Sequence, residues 1–194
     1  MREATVNRKT KETDISMKLN LDGTGAFQVN TGIGFFDHML SGFAKHGFID
    51  LDCKVKGDLE VDGHHTVEDT GIVLGQALRE AVGDKAGMVR YGSFIMPMDD
   101  ALILCAVDFC GRPYFSYDLK VNEEKCGDFE TTLAKEFFYA VSYSAGINLH
   151  IKQISGENGH HILEAAFKAF GKAVDAATQL DPRVQGVLST KGKL

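Results

Sequence analysis

The stretch His64-His65-Thr66-Val67-Glu68 occurs a second time as His160-His161-Ile162-Leu163-Glu164. On an α-helix, which turns by about 100° per residue, the glutamate lies about 40° from the first histidine and about 60° from the second, so all three side chains project from one face. A single pair of adjacent histidines on a helix is usually solvated surface or packed core. Because a packing accident has no reason to recur in register, the duplication favours a metal centre.

Together the two copies of the motif supply four imidazoles and two carboxylates. This mixed nitrogen and oxygen donor set suits Mn, Fe, Zn or Ni rather than Mg or Ca. Two adjacent histidines on a helix diverge by about 100°, so both reach one ion only with difficulty. We therefore expect one histidine per metal, which predicts two ions with ligands drawn from both copies of the motif.

The repeat extends beyond the motif. Gly75 and Gly171 each lie eleven positions after the first histidine of their copy, and an apolar helical segment around His38 matches another around Glu136. His38 and Glu136 are equivalent in this alignment, so they are two further candidate ligands. The chain is therefore predicted to be two repeats of roughly 90 residues, 1–92 and 93–194 with the C-terminal tail, packed about a pseudo-two-fold axis in one compact body.

The composition indicates a globular protein whose main partner is not nucleic acid. The 194 residues are 44% hydrophobic and carry a formal charge of -6, with lysine and arginine scattered along the chain. No apolar run approaches the roughly 20 residues of a membrane span, and the N-terminus does not begin like a signal peptide, which predicts a cytoplasmic protein. The four cysteines lack the spacing of a zinc or redox site, so we expect them to be reduced and packed.

The apolar patterns predict strands interspersed with helices, which is an α/β chain of the α+β kind. From Ile15 to Leu21 every second residue is apolar, which is typical of a strand with one buried face. The run from Ala101 to Val107 is apolar throughout, which predicts a strand buried on both faces. Helical periodicity occurs near His38, near Glu136 and from each copy of the motif onward.

Further side chains are candidates for catalysis or anion binding. Glu12 lies at a junction between two strands, where a glutamate is most often simply solvated. The tail after residue 187 is of a kind that is usually disordered, yet its hydroxyls and ammonium groups could together hold a phosphate. An isolated arginine is a surface residue more often than an anion ligand. The candidates for anion binding are Arg90, Arg112, Lys168, Ser189 and Lys191.

These motifs together resemble the imidazoleglycerol-phosphate dehydratase family of histidine biosynthesis, and the similarity covers essentially the whole chain. It rests on five segments in the same order, namely residues 35–40, 62–69, 97–101, 156–165 and 189–192. The resemblance implies a ribosomal protein S5 domain 2-like fold, in which a βα unit is duplicated and the helices pack between two mixed four-stranded sheets. It further implies a homo-oligomer of 24 subunits, with active sites shared between neighbouring subunits and two Mn²⁺ ions in each.

For the site, the resemblance implies metal ligands at His38, His64, His65, Glu68, His160, His161 and Glu164. Many members of the family carry histidine where this chain has Glu136, and a carboxylate is still able to ligate Mn. Glu12 is implied as the acid/base, with Glu68 and Glu164 as ligands that also relay protons. The anion-binding candidates would clamp the phosphate of the substrate.

The reaction implied by the resemblance is the loss of water from D-erythro-imidazole-glycerol phosphate, which gives imidazole-acetol phosphate. An imidazolate bound to two metals would push out the C3 hydroxyl once the C2 proton is lost, and the resulting enol would ketonise.

Two other functions are compatible with these residues. A dinuclear metal phosphatase needs similar ligands, and release of inorganic phosphate would distinguish it. A metal-storing or structural shell is the non-enzymatic alternative, and it has no use for Glu12 or for a phosphate-binding tail.

Overall fold

The computed structural model describes residues 2–194, which form two successive sets of strands and helices. The first set is β1 (Glu3–Lys9), β2 (Thr13–Asn20), β3 (Phe27–Asn30), α1 (Gly34–His46), β4 (Asp50–Gly57) and α2 (His64–Val82). The second set is β5 (Tyr91–Met98), β6 (Ala101–Asp108), β7 (Tyr114–Asp118), β8 (Lys125–Cys126), β9 (Phe129–Glu130), α3 (Leu133–Ala145), β10 (Asn148–Ser155) and α4 (Gly159–Thr178). None of these helices is both long enough and apolar enough to cross a bilayer.

Each set builds a mixed four-stranded sheet, and the two sheets share one topology. The strand orders are β1-β2-β4-β3 and β5-β6-β10-β7, and in each sheet only the last pair is parallel. The register is shared as well, because Glu3 faces Asn20 and Tyr91 faces Asp108, a shift of 88 residues in both strands. The prediction of two mixed four-stranded sheets with helices is therefore confirmed. The division at residues 92 and 93 stays a prediction, and β5 begins at Tyr91.

The four helices lie between the sheets and pair across the two halves. The first motif helix, α2, packs on β1, β2 and α3, and the second, α4, packs on β5, β6 and α1. Apolar side chains from both halves meet in this layer, where the rings of Phe36 and Phe137 each contact Phe167. As the alternation predicts, Ile15, Met17 and other odd-numbered residues of β2 are buried against the helices.

Glycines permit the close approach of the paired helices. A Cβ atom at Gly75 would lie 2.7 Å from the carbonyl oxygen of Val141 and 2.6 Å from Cβ of Ser144, both on α3. The equivalent Gly171 of α4 is equally crowded by the backbone of Phe43 on α1. The two glycines that the repeat aligns therefore perform the same packing role in each helix pair.

The prediction that the run Ala101 to Val107 is buried on both faces is wrong for a single chain. Ala101, Ile103 and the following odd positions of β6 are fully buried, while Leu102 and Leu104 are only half-buried. The reason is the layer order, since the helices cover one face of each sheet and residues 2–194 supply no layer for the other face.

The C-terminal tail folds back against the segment 87–90, which precedes β5. The N–H of Gly87 donates to the carbonyl oxygen of Gly186, and Nη1 of Arg90 donates to that of Leu188. All four cysteines are free, as predicted; Cys53, Cys105 and Cys110 are buried, and Cys126 is half-buried. Burial raises the pKa of Cys53 to about 12, which keeps this thiol neutral and inert.

Candidate active site

Both copies of the motif lie in the first turn of a helix. The N–H of His64 donates to Oδ1 of Asp62 at 2.7 Å where α2 begins, and the N–H of His161 donates to Oδ1 of Asn158 at 3.1 Å where α4 begins. These side chains satisfy backbone donors that have no partner within the helix. The histidines are consequently fixed at helix ends, where their rings reach solvent.

The first histidine of the second copy meets the ligand candidate from α1. Nε2 of His160 lies 2.9 Å and Nε2 of His38 lies 3.3 Å from Oε2 of Glu164. We call these three residues the first cluster. Their possible ligand atoms all lie within 4.8 Å of one another, and no other group of three or more such side chains among residues 2–194 comes as close.

Glu164 is the buried anion of the first cluster, with 9% of its side chain exposed. Burial raises the pKa of this carboxyl, but hydrogen bonds from Lys168 and His160 outweigh it, so the pKa falls below its ordinary value. The Nζ atom of Lys168 lies 2.8 Å from Oε1 of Glu164. The residue predicted to bind phosphate thus contacts a predicted metal ligand, one helical turn away.

The first copy of the motif forms a smaller group, which we call the second cluster. Nε2 of His64 lies 3.6 Å from Oε2 of Glu68. Burial raises the pKa of Tyr139 on α3, and the charges of Tyr143, Glu136 and Glu68 raise it further. Glu136 lies in the first turn of α3, the helix that packs on α2, but among residues 2–194 the ligand atoms of this half do not converge as they do in the first cluster.

The second histidine of each copy turns away from the glutamate of its own motif. Nδ1 of His65 lies 2.9 Å from Oδ2 of Asp58, and Nδ1 of His161 lies 2.7 Å from Oδ1 of Asp100. These hydrogen bonds raise the pKa of both imidazoles. The expected divergence of adjacent histidines is therefore present in both helices.

Glu12 lies in the turn between β1 and β2, beside the outer nitrogen of His65. Its Oε1 is 3.8 Å from Nε2 of His65, and 52% of its side chain is exposed. A shallow groove of about 280 Å³ separates this turn from the segment Lys56–Glu60. The carboxylate is thus open to a small molecule that contacts the histidine.

A cleft of about 650 Å³ gathers four of the five predicted anion-binding residues. Arg112, Ser189 and Lys191 line it with Arg90, whose Nε and Nη2 atoms donate to Asp108 at 2.7 and 3.0 Å. Lys168 does not line this cleft, and its Nζ atom is instead paired with Glu164 of the first cluster.

A family model described as imidazoleglycerol-phosphate dehydratase matches residues 31–174, which include both copies of the motif. The chain belongs to this family of dehydratases. An imidazoleglycerol-phosphate dehydratase of Lachnoclostridium phytofermentans is 65% identical over 191 residues, covering 98% of this chain and 97% of the relative. One from Acetivibrio thermocellus is 58% identical over 193 residues, covering 100% and 99% of the two chains.

Solved structures of imidazoleglycerol-phosphate dehydratase agree with the fold. That of the Staphylococcus aureus protein superimposes with a TM-score of 0.84 at 39% identity, covering 92% of this chain and 99% of that one. That of the Pyrococcus furiosus protein, in complex with (S)-C348, also gives 0.84, at 42% identity and with 97% and 100% coverage.

The donor set of the dehydratase chain fits a transition metal. In the first cluster, two imidazole nitrogens and a buried carboxylate kept ionised by Lys168 converge on one point. Imidazole and carboxylate together suit Mn, Fe, Zn or Ni, whereas Mg and Ca prefer oxygen alone. The first cluster is therefore a possible metal site of this family member.

Asp58 and Asp100 are functional candidates that the sequence motifs did not single out. Asp100 lies within the segment 97–101 that carries the family resemblance, and Asp58 directly follows β4. Neither residue has a helical spacing from the histidine that it contacts, because each hydrogen bond joins a loop to a helix. The available signal was the pairing rule that a buried or ligating histidine needs an acceptor for its second nitrogen.

Proposed function

We propose that the chain is a Mn-dependent hydro-lyase that converts D-erythro-imidazole-glycerol phosphate to imidazole-acetol phosphate and water, a cytoplasmic step of L-histidine biosynthesis. The observation that carries the proposal is the pair of histidine–glutamate clusters at the starts of two equivalent helices, in a chain of the dehydratase family. Their donors suit Mn, and a half-exposed carboxylate lies beside one of the neighbouring histidines.

Two Mn²⁺ ions would be held by nitrogen and carboxylate donors from both motifs. His38, His160 and Glu164 would supply one set, and His64 and Glu68 would begin another, to which Glu136 would add a carboxylate. His65 and His161 would add the remaining nitrogens. When bound, the metal supplies Lewis acidity that stabilises negative charge on the imidazole ring of the substrate.

The protein side chains would move the proton and hold the phosphate. The carboxylate of Glu12 would accept the C2 proton and return it to the C3 hydroxyl, which leaves as water. The enol that remains would then ketonise by moving its hydroxyl proton to C3. Arg112, Ser189 and Lys191 would bind the phosphate in the tail cleft, where Arg90 orders the tail. Lys168 would add an ammonium group from the side of the first cluster.

Active sites shared between subunits of a 24-subunit homo-oligomer would explain the arrangement within one chain. The two clusters lie on different helix pairs, and the second cluster lacks the convergence of the first. Lys168 also lies apart from the other phosphate candidates. Neighbouring copies of the chain would bring these groups together.

The test is turnover of imidazole-glycerol phosphate by protein stripped with EDTA and then reloaded with Mn. We expect the ketone product to form only with metal, and we expect the stripped protein to elute at a smaller size, because shared ligands link assembly to metal binding. Release of inorganic phosphate instead of ketone would contradict the dehydratase and indicate a phosphatase. An unchanged elution volume after chelation would contradict the metal-linked assembly.

A further inference from the structure

The shared register of the two sheets makes Glu12 and Asp100 structural equivalents. A shift of 88 residues relates β1 and β2 to β5 and β6, and it also relates Glu12, just before β2, to Asp100, just before β6. Each carboxylate lies beside the second histidine of its own half, His65 or His161. Differences between these two positions therefore show how the two halves have specialised.

In the second half, the equivalent carboxylate is fully occupied by hydrogen bonds. Oδ1 of Asp100 accepts from Nδ1 of His161, and Oδ2 accepts from the N–H groups of Glu157 at 2.6 Å and Asn158 at 3.0 Å. Asp100 thereby connects the β5–β6 turn to the start of α4. A carboxylate held by three donors is a structural group and not a proton carrier.

In the first half, a different residue performs this task and Glu12 is left free. Asp58, from the loop after β4, accepts from Nδ1 of His65 at 2.9 Å. Among residues 2–194 the carboxylate of Glu12 accepts no hydrogen bond, and the nearest nitrogen of a basic side chain is Nε2 of His65 at 3.8 Å.

The hydrogen bond to His65 is the one that the Asp58 side chain makes within residues 2–194. This side chain is 18% exposed, and its Oδ1 atom is buried without a hydrogen-bond partner in the same range. Leaving a buried carboxylate oxygen unpaired is costly, so a packing role alone would favour a neutral side chain at this position.

The hydrogen bond also determines which nitrogen of each histidine is available. A carboxylate only accepts, so Nδ1 of His65 and of His161 must carry the proton. In a neutral imidazole the lone pair then resides on Nε2, which lies 3.8 Å from Oε1 of Glu12 in His65 and 3.5 Å from Oδ2 of Asp99 in His161. Among residues 2–194 neither Nε2 atom makes a hydrogen bond, so this nitrogen is available to ligate a metal.

We propose that Asp58 and Asp100 are positioning residues that present Nε2 of His65 and His161 as metal ligands, and that Asp58, by taking Nδ1 of His65, leaves Glu12 unpaired for proton transfer. This inference rests on the proposed function. In both halves an aspartate accepts a hydrogen bond from Nδ1 of the second histidine, but the two aspartates come from different loops. This recurrence indicates that the chemistry of the site requires the hydrogen bond, because packing retained from a duplication would use the same loop.

The experiment compares Asp58→Ala, Asp58→Asn and Asp52→Ala. Asp58→Ala removes the acceptor, Asp58→Asn keeps a neutral acceptor of the same shape, and Asp52→Ala removes an aspartate from the outer face of β4 as the control. The protonated nitrogen of His65 is read by NMR on metal-free protein labelled with ¹⁵N-histidine, with the signal assigned through His65→Gln. Mn binding is measured by titration with EPR detection of the free ion.

We expect His65 to be protonated at Nδ1 in the wild type, in Asp58→Asn and in Asp52→Ala, and to lose this preference in Asp58→Ala. Mn affinity at one site should fall by about 10- to 100-fold in Asp58→Ala, and clearly less in Asp58→Asn. With Mn saturating, Asp58→Ala should still show a lower kcat, because Glu12 is then the remaining partner for His65.

Two results overturn the inference while leaving the proposed function intact. One is an unchanged Nδ1 preference in Asp58→Ala, and the other is wild-type Mn affinity in that variant. If the wild type itself neither binds Mn nor forms the ketone product, the proposed function fails, and the NMR signal of His65 still decides whether Asp58 sets its protonation.

Discussion

A substitution of Glu12 tests catalysis independently of metal binding, because Glu12 is the proposed acid/base and is not a proposed ligand. Glu12→Gln keeps the shape of the side chain but removes its ability to accept a proton, so we expect kcat to fall by about 10²- to 10⁴-fold. Mn content should stay at the wild-type value, because the proposed ligands are untouched. Glu60→Gln, in the same groove, is the matched control and should retain activity. Parallel loss of metal and turnover would instead make Glu12 a ligand.

For individual site residues, sequence patterns identify those that recur at helical spacing and miss those whose contacts join a loop to a helix. His160 and Glu164 meet as the helical spacing requires, and the duplication marks them without any structure. Asp58 shares no periodicity with His65, so only the folded loop places its carboxylate there. Lys168 pairs with Glu164 one turn away, a contact that helical spacing also predicts, and its role in phosphate binding stays a prediction.

At the scale of elements, Gly75 controls how closely α2 approaches α3. Alanine is normally about 1 kcal/mol better than glycine within a helix, but a methyl group here would collide with the backbone of Val141 and with Ser144. We expect Gly75→Ala to destabilise the protein by about 1–3 kcal/mol through overpacking. Gly42→Ala on α1 is the control, because its new Cβ would lie 3.7 Å from Cγ of Lys168, an ordinary contact.

Denaturant unfolding of both variants measures the difference. The argument from helix spacing requires a lower midpoint for Gly75→Ala and an equal or higher one for Gly42→Ala. If both glycines tolerated alanine equally, α2 and α3 would be able to move apart at little cost in stability. The recurrence of glycine at positions 75 and 171 would then have another cause.

The buried face of a strand can be predicted from sequence where the other face is polar, and less reliably where both faces are apolar. In β2 the alternation from Ile15 to Leu19 identifies the buried face at once. In β6 the uninterrupted apolar run hides the same alternation, since a leucine facing solvent and a leucine facing a helix look alike in sequence. Only the position of the helix layer shows that Leu104 points outward.

At the scale of the whole molecule, the outer faces of the two sheets differ although their topologies agree. The outward positions of β2 are Asp14, Ser16 and Lys18, whereas the equivalent positions of β6 are Leu102, Leu104 and Ala106. Exposing an apolar sheet face to water is unfavourable in free energy. In the proposed homo-oligomer we therefore expect the outer face of the second sheet to contact another copy of the chain.

Ile95 and Asn7 provide a test at equivalent outward positions of β5 and β1. Ile95 is 52% exposed in the single chain and faces Leu104 across the sheet. Ile95→Lys should reduce the assembled mass by placing a charge in the contact, whereas Asn7→Lys should not. Light scattering after size-exclusion chromatography in the presence of Mn measures both. Assembly of wild-type mass in Ile95→Lys would exclude this face as a subunit contact.

Most of the architecture could be predicted because the motif and the apolar pattern around it occur twice in the sequence. The two copies of the motif locate α2 and α4, and the remaining elements follow from alternation and glycine positions between them. The C-terminal tail was less predictable, because the hydrogen bonds that order it join residues such as Gly87 and Gly186, far apart in sequence and without side-chain signals.

The half-buried thiol of Cys126 has a practical consequence. The other three thiols are buried, so a maleimide dye should modify this position selectively without any added cysteine. Cys126 pairs with Phe129 in the β8–β9 ribbon, the ring of Phe129 lies 5.6 Å from that of Phe35, and Phe35 meets the His160 ring edge-on at 5.1 Å. A fluorophore attached there would sit two aromatic rings from the first cluster, giving the natural sequence its own optical reporter of metal occupancy.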